Sequence, residues 1–198
     1  MNSKLTLLTT MLVNLLYSPL LGAEHVNIEK AVFAGGCFWC IEAAYQDLDG
    51  VLDAISGFTG GKRKNPTYKG NHKGHYEAVE VTFDSKVITY QQLLDIFWVN
   101  IDPFDNKGQF CDRGPSYRSA IFVDRRQRDL AIASKDKIIA RFPEARVYTE
   151  ILESTSFYPV EKYHQDYYKK NPIRYHFYRS GCRRDARLNQ IWGAAAKH

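Results

Sequence analysis

The chain has 198 residues, of which 44% are apolar and 14% aromatic, so it is long enough to bury one well-packed core. Its net charge of +5 is small and falls in short basic runs such as Lys62-Arg63-Lys64, which argues against a nucleic-acid-binding surface. A core of this size also excludes a small protein held together mainly by disulfides, although four cysteines are present.

The first 23 residues differ from the rest of the chain. Lys4 precedes a leucine-rich stretch that carries no acidic residue and ends in a small residue at Ala23. This pattern is typical of a secretory signal peptide, and the polar residues and proline within it argue against a retained spanning helix. We therefore expect residues 1–23 to be a signal peptide and residues 24–198 to be one domain. The mature protein is then periplasmic or secreted, otherwise cytoplasmic, with no stable membrane association.

Hydrophobic periodicity predicts an alternation of strands and helices. Strands are predicted over 29–34, 51–58, 76–83, 119–123 and 147–152, and helices from Cys37 to residue 48, from Thr89 to residue 98, and over 124–141. The order β-α-β-β-α-β, extended by α-β, predicts an α/β (α+β) fold, a ferredoxin-like two-layer sandwich with a mixed sheet. The tyrosine-rich C-terminal segment is predicted to be long and irregular, with helical patches over 160–169 and 184–192.

Cys37 follows two glycines that separate the first predicted strand from the first predicted helix. Glycines let the backbone turn sharply out of the strand, which places the thiol in the first turn of the helix. The unpaired N–H groups and the helix dipole there favour an anion, so we expect a lowered pKa for Cys37 and a nucleophilic thiolate. The alternative is a small buried packing residue.

Glu77 lies in the alternating strand over 76–83, on the same face as Val79, Val81 and Phe83. A carboxyl among large apolar side chains is expected to have a raised pKa and to stay protonated near neutral pH. Such a group is a candidate general acid. The alternative is a glutamate at the sheet edge that reaches water.

Five short motifs follow one another along the chain. They are Gly36-Cys37-Phe38-Trp39, Asn65-Pro66-Thr67-Tyr68, Gly74-His75-Tyr76-Glu77, Asp112-Arg113-Gly114 with Tyr117-Arg118-Ser119, and Tyr163-His164-Gln165. In this order they resemble the A-type peptide methionine sulfoxide reductases, and the resemblance extends from about residue 30 to residue 192.

The resemblance implies a reaction in which Cys37 attacks the sulfur of methionine sulfoxide and protonated Glu77 gives a proton to the departing oxygen. Tyr68 and Tyr117 would hydrogen-bond that oxygen. The products are methionine and a sulfenic acid on Cys37. Members of this family reduce the S epimer, free or within proteins, which implies the repair of oxidative damage.

The resemblance also implies how the substrate is held and how the enzyme is recycled. Phe38 and Trp39 would form an apolar pocket for the substrate's methyl group, and Asp112 would support the polar side of the site. Thioredoxin or a similar dithiol would supply electrons, with no cofactor and no metal. The domain would be catalytic and, at this size, we expect a monomer. Tyr167 and Tyr175 are predicted to be packing residues.

Two cysteines depart from the pattern of that family, which commonly has Gly at the position of Cys40 and Asn at that of Cys111. Cys40 lies on the same helical turn as Cys37 and could attack its sulfenic acid. Cys182, in the C-terminal segment, is the rival resolving thiol. We expect Cys182 to be the direct partner, with Cys40 passing the disulfide onward, and Cys111 to be structural.

A zinc site is one alternative, because Cys37-x-x-Cys40 and His72-x-x-His75 have ligand-like spacing. A thioredoxin-like disulfide exchanger is another, since that class also places such a cysteine pair at a helix start. A third is a non-catalytic binding module in which the aromatic residues form a cage for a methylated ligand.

Overall fold

The structure is a computed structural model that describes residues 26–70 and 72–196. The predicted signal peptide lies outside these residues. None of the helices in the described ranges is both long and apolar enough to span a bilayer.

Eight strands and six α-helices are found in the described part of the chain. They are β1 (Ile28–Gly35), α1 (Phe38–Tyr45), β2 (Val51–Thr59), β3 (Tyr76–Asp84), α2 (Tyr90–Val99), β4 (Gly108–Gln109), β5 (Asp112–Arg113), β6 (Ser119–Val123), α3 (Arg128–Arg141), β7 (Glu150–Glu153), β8 (Tyr158–Pro159), α4 (Tyr167–Lys170), α5 (Pro172–Gly181) and α6 (Arg184–Trp192). Two short 3-10 turns, Pro115–Tyr117 and Gly193–Ala195, complete the set.

The main sheet has six strands in the order β7-β6-β1-β3-β2-β8. Its four central strands (β6, β1, β3 and β2) pair with one another in antiparallel orientation, and together with α1 and α2 they have the order of a ferredoxin-like fold. Only the β6–β7 pair is parallel, which makes the sheet mixed. The predicted fold class is confirmed.

Helices α1 and α2 cover one face of this sheet. Phe33 of β1 stacks on Tyr45 of α1 at 5.2 Å and on Phe97 of α2 at 5.3 Å between ring centroids. The Tyr45 hydroxyl donates a hydrogen bond to the Leu93 carbonyl at 2.9 Å, which ties the two helices together. Helix α2 begins after Thr89, which is its N-cap residue, and a capping box is present because Thr89 and Gln92 satisfy each other's backbone N–H groups.

The C-terminal segment is more helical than the sequence predicted. The helix over 184–192 is confirmed as α6, but α5 was not predicted and the patch over 160–169 contains only the start of α4. Of the ten residues in α5, only Tyr175 and Arg179 are buried, so the helix has no apolar stripe to reveal it. The prediction for the start of α1 was also wrong, because Cys37 is the N-cap residue and not part of the first turn.

Candidate active site

The turn before α1 aims the Cys37 side chain into the protein. Gly36 has a positive φ of 84°, and a Cβ atom there would lie 2.5 Å from Cβ of Gln109. Gln109 is itself fixed, because its side chain bonds both the N–H and the carbonyl of Asp102, at 2.8 and 2.7 Å. Glycine is therefore required for both its backbone conformation and its size.

A small cavity of about 40 Å³ brings the predicted site residues together. Its lining consists of Cys37, Phe38, Trp39, Tyr68, Glu77, Asp112, Tyr117 and Tyr178. All the predicted catalytic and substrate-binding residues are in this set, although they come from three separate parts of the chain. Tyr178 is the member that the sequence did not predict.

Glu77 is 2% exposed, and its Oε2 atom accepts a hydrogen bond from the Phe38 backbone N–H at 3.2 Å. Burial raises the pKa of this carboxyl to about 8, against the opposing effect of the Phe38 hydrogen bond. Val79, Val81 and Phe83 on the same face are fully buried, as the alternation predicted. The raised pKa is confirmed, and Glu77 is protonated at neutral pH.

Two tyrosine hydroxyls in the cavity remain protonated for a similar reason. Burial, followed by the nearby charge of Glu77, raises the pKa of Tyr68 to about 12 and raises that of Tyr117 also. The Tyr117 hydroxyl donates a hydrogen bond to Glu77. Tyr68 can therefore donate to an oxygen atom placed in the cavity, and Tyr117 can do so when its hydroxyl turns away from Glu77.

The apolar side of the cavity is a stack of aromatic rings around Trp39. Tyr167 lies parallel to Trp39 with 3.8 Å between ring centroids, and His164 stacks on it at 5.7 Å. His164 in turn contacts the Tyr68 ring at 4.0 Å. Tyr167 was expected to be a packing residue, and its packing partner is a residue of the site.

Tyr178, on the unpredicted helix α5, closes the cavity from the C-terminal segment. Its hydroxyl donates a hydrogen bond to Oδ2 of Asp112, and it also lies within hydrogen-bonding reach of the Cys37 sulfur, to which its single proton can turn instead. Its ring meets Trp39 edge-on at 5.9 Å. Burial raises the pKa of Asp112, and the Tyr178 hydrogen bond opposes this shift. Tyr178 lies in a helix without an apolar stripe, so nothing in the sequence pattern marked it as part of the cavity.

Cys37 and Cys40 are both buried and form a hydrogen-bonded pair of free cysteines. The predicted lowering of the Cys37 pKa is wrong: burial, then Cys40 and Glu77, raise it. The hydrogen bond from Cys37 instead lowers the pKa of Cys40 to about 6, with help from Arg184 and Arg179 and against the effect of burial. The pair thus shares one proton near neutral pH.

The remaining cysteines, Cys111 and Cys182, form a disulfide with a Cα–Cα distance of 4.9 Å. The sequence did not predict this pairing. In this structure Cys182 is bonded to Cys111 and is not the partner of Cys37, whereas Cys40 contacts Cys37 directly. Cys111, expected to be structural, is exposed.

The zinc alternative finds no support in the described residues, where Cys37, Cys40, His72 and His75 supply no group of three adjacent ligand atoms. His75 instead has its two ring nitrogens within 3.3 Å of the Gly61 N–H and 2.9 Å of the Arg63 carbonyl. Its position in the turn before β3 is therefore explained by backbone hydrogen bonds.

Comparison with known proteins supports the assignment that the geometry suggests. The family described as peptide methionine sulfoxide reductase matches residues 29–196. A Caulobacter vibrioides protein named peptide methionine sulfoxide reductase MsrA 2 is 51% identical over 179 residues, which are 89% of this chain and 90% of the relative.

Two solved yeast structures are also similar. Saccharomyces cerevisiae Mxr1 in its reduced form has 28% identity and a TM-score of 0.66, with 75% of this chain and 91% of that chain covered. The structure of Mxr1 in complex with Trx2 has 22% identity and a TM-score of 0.50, covers 76% of this chain and 92% of that one, and shows a shared fold alone. On the family match and the bacterial relative, this chain belongs to the peptide methionine sulfoxide reductase family.

Proposed function

We propose that this protein reduces the S epimer of methionine sulfoxide, free and within proteins, to methionine and so repairs oxidative damage. One observation carries the proposal: the Cys37 sulfur and a protonated Glu77 carboxyl line the same small cavity. The first is a nucleophile for the sulfoxide sulfur, and the second is an acid for its oxygen.

Proton transfer within the cysteine pair produces the nucleophilic thiolate. Near neutral pH the Cys37 thiol donates a hydrogen bond to the Cys40 thiolate, and transfer of that proton leaves the thiolate on Cys37. Cys37 attacks the sulfoxide sulfur, and Glu77 protonates the oxygen while Tyr68 and Tyr117 hydrogen-bond it. The substrate sulfur gains two electrons, and Cys37 becomes a sulfenic acid.

The aromatic side of the cavity suits the rest of the reacting group. Phe38 and Trp39 offer an apolar surface for the substrate's methyl group, and Asp112, held by Tyr178, supports the polar side. A cavity of about 40 Å³ admits only a small group, which favours the sulfinyl and methyl end of one side chain.

We propose that Cys40, and not Cys182, is the thiol that reacts directly with the Cys37 sulfenic acid. Cys40 already touches Cys37 and can displace water from the sulfenic acid, which forms a Cys37–Cys40 disulfide. The Cys111–Cys182 pair is suited to meeting an external donor, because Cys111 is exposed. Thioredoxin or a similar dithiol is the proposed donor, acting on a monomer exported by the segment over 1–23.

Turnover of the separated sulfoxide epimers by wild type and Cys37→Ser tests the proposal. We expect dithiol-dependent reduction of the S epimer by wild type and no activity in the variant. Activity in Cys37→Ser would refute the mechanism. An insulin-reduction assay distinguishes the thioredoxin-like alternative, and ligand binding that survives in Cys37→Ser without turnover would favour the binding-module alternative.

The order of the disulfides has its own test. The enzyme is trapped after one turnover without reductant, and its disulfides are mapped by mass spectrometry. We expect a new Cys37–Cys40 bond, whereas a Cys37–Cys182 bond would restore the order expected from the sequence.

A further inference from the structure

We propose that a small uncharged dithiol enters through a second cavity, distinct from the substrate pocket, and reduces the Cys37–Cys40 disulfide by attacking Cys40. The inference rests on the proposed function, because turnover forms that disulfide. It assigns a ligand site to a part of the molecule that the reduction of methionine sulfoxide does not use.

The two cysteines of the pair line different cavities. Cys37 lines the cavity of about 40 Å³ described above, and Cys40 does not. Cys40 instead lines a cavity of about 510 Å³ between helices α1, α2, α4 and α5, and Cys37 is not part of that lining. The residue that lines the substrate cavity is therefore not the one that lines the larger cavity.

The geometry of thiol–disulfide exchange favours this direction of approach. The incoming thiolate, the attacked sulfur and the leaving sulfur must be close to a line, so Cys40 is attacked from the side opposite Cys37. The larger cavity lies on the Cys40 side. The leaving Cys37 thiolate remains next to the Tyr178 hydroxyl and the protonated Glu77 carboxyl, which can stabilise and protonate it.

The second exchange step, in which Cys40 is released from the mixed disulfide, is also favoured by the surroundings of Cys40. The first step forms a mixed disulfide between Cys40 and one sulfur of the dithiol, and breaks the Cys37–Cys40 bond. The second sulfur then attacks the first, which closes a cyclic disulfide and releases Cys40 as a thiolate. Arg179 and Arg184, 8% and 2% exposed, stabilise that anion and make it a good leaving group.

The lining of the cavity indicates the kind of dithiol that it accepts. Ala43, Ala44, Leu48 and Ile96 contribute aliphatic surface. The Arg179 guanidinium on the wall is already paired with Asp185, 2.5 Å away. Asp47 on the wall is likewise paired, with the Lys169 ammonium 2.6 Å away, so an anionic thiol would lose its hydration while both of these cations are already paired. An uncharged, aliphatic dithiol is the class that fits.

The test isolates this route by using the full chain with Cys111→Ser and Cys182→Ser, which removes the other disulfide. The protein is first oxidised with methionine sulfoxide in the absence of reductant, and the methionine released is measured. A yield near one methionine per chain supports the proposed function, and a yield near zero would overturn it; this readout does not depend on the second cavity.

Reduction of the resulting disulfide by dithiothreitol is then followed by quenching and alkylation. Ala44→Trp fills the second cavity, Leu48→Trp is a second variant of the same kind, and Ala133→Trp, on the exposed face of α3, is the matched control. We expect reduction to slow by about tenfold or more in variants that fill the cavity and still release methionine, and to be unchanged in the control. Wild-type rates in such a filled variant would overturn the inference.

A neutral and an anionic monothiol of similar size test which cysteine is attacked and whether the larger cavity prefers uncharged thiols. Neutral 2-mercaptoethanol should form a mixed disulfide on Cys40, and anionic 3-mercaptopropionate should do so about tenfold more slowly once corrected for thiolate concentration. A mixed disulfide mapped to Cys37, or equal rates for the two thiols, would overturn the assignment.

Discussion

The backbone N–H of Phe38 donates a hydrogen bond to Oε2 of Glu77 at 3.2 Å, so the residue after the nucleophile holds the candidate acid. The carboxyl nevertheless remains protonated at neutral pH, because burial outweighs the hydrogen bond. One oxygen of the Glu77 carboxyl can accept the hydrogen bond from the Phe38 N–H while the other, which carries the proton, donates to the sulfoxide oxygen of the substrate.

The raised pKa of Glu77 predicts an upper pH limit for sulfoxide reduction. Methionine release in a single turnover should fall as the pH rises through about 8, because the acid form is then lost. Glu77→Gln should lower the rate by about 10²- to 10⁴-fold at neutral pH and remove this limit. Rapid-quench measurements from pH 6 to 9 provide the test.

Glu42→Gln is the matched control for that experiment. Glu42 is also buried, and burial raises its pKa to about 7, but its carboxylate bonds the Ser56 hydroxyl and the Asp166 N–H, outside the cavity. This variant should keep the fall near pH 8. If Glu77→Gln kept it and Glu42→Gln lost it, Glu77 would not be the acid.

The same carboxyl predicts a pH dependence of stability. Its pKa is higher in the folded than in the unfolded protein, so between about 4.5 and 8 the folded state binds more protons and Glu77 makes stability fall as pH rises. Relative to wild type, Glu77→Gln should therefore gain up to about 1.4 kcal/mol per pH unit across this window. Urea unfolding at several pH values measures the difference, and a constant difference would contradict the assigned pKa.

The alternating pattern of β3 was enough to place Glu77 on a buried face, and the order of elements was enough to predict the central sheet. Both depend on local periodicity, which sequence records directly. The pKa of Cys37 depends on its surroundings in three dimensions. A position at the start of a helix suggested a lowered pKa, but the fold buries this sulfur beside Cys40 and Glu77, and these neighbours and the burial raise the pKa.

The features that sequence could not predict join distant parts of the chain. Tyr178 reaches Asp112 across 66 residues, and Cys111 and Cys182 are 71 residues apart. Pairing of cysteines cannot be deduced from their number or spacing. Helix α5, which carries Tyr178, is defined by Pro172 at its first position and by contacts with the core, not by an apolar stripe.

Removal of the Cys111–Cys182 disulfide should destabilise the protein but spare one turnover. A bond that closes 71 residues contributes about 4 kcal/mol in the loop-entropy estimate, so the variant with Cys111→Ser and Cys182→Ser should unfold at lower urea concentration. Because Cys37 and Cys40 both remain, this variant should still release about one methionine per chain and form a Cys37–Cys40 disulfide.

Treatment with a reductant is the control for comparing the urea midpoints of wild type and this variant. Wild type treated with a strong reductant should approach the variant's urea midpoint, and the variant's own midpoint should not respond. A sulfenic acid that persists on Cys37 in the variant after one turnover, with no Cys37–Cys40 disulfide and with the fold intact, would return Cys182 to the position of direct resolving thiol.

Tyr178→Phe should raise the pKa of the Cys37 thiol further. The hydroxyl of Tyr178 can turn from Asp112 to donate to the Cys37 thiolate, and this lowers the pKa of Cys37 against the larger effect of burial. A hydrogen bond to a charged group contributes about 1.5–3 kcal/mol, so its loss should shift the pKa upward by about one unit or more. The pH dependence of iodoacetamide alkylation in a Cys40→Ser background, where Cys37 no longer titrates with a second thiol, measures this shift.

Tyr168→Phe in the same background is the control for Tyr178→Phe. The Tyr168 hydroxyl donates to exposed Asp47 at 2.7 Å and does not line the smaller cavity, so its removal should leave the alkylation profile of Cys37 unchanged. Equal profiles for the two variants would mean that Tyr178 acts only through packing against Trp39. A shift confined to Tyr178→Phe would identify α5 as the element that completes the nucleophile's surroundings, since its hydroxyl reaches both Cys37 and Asp112.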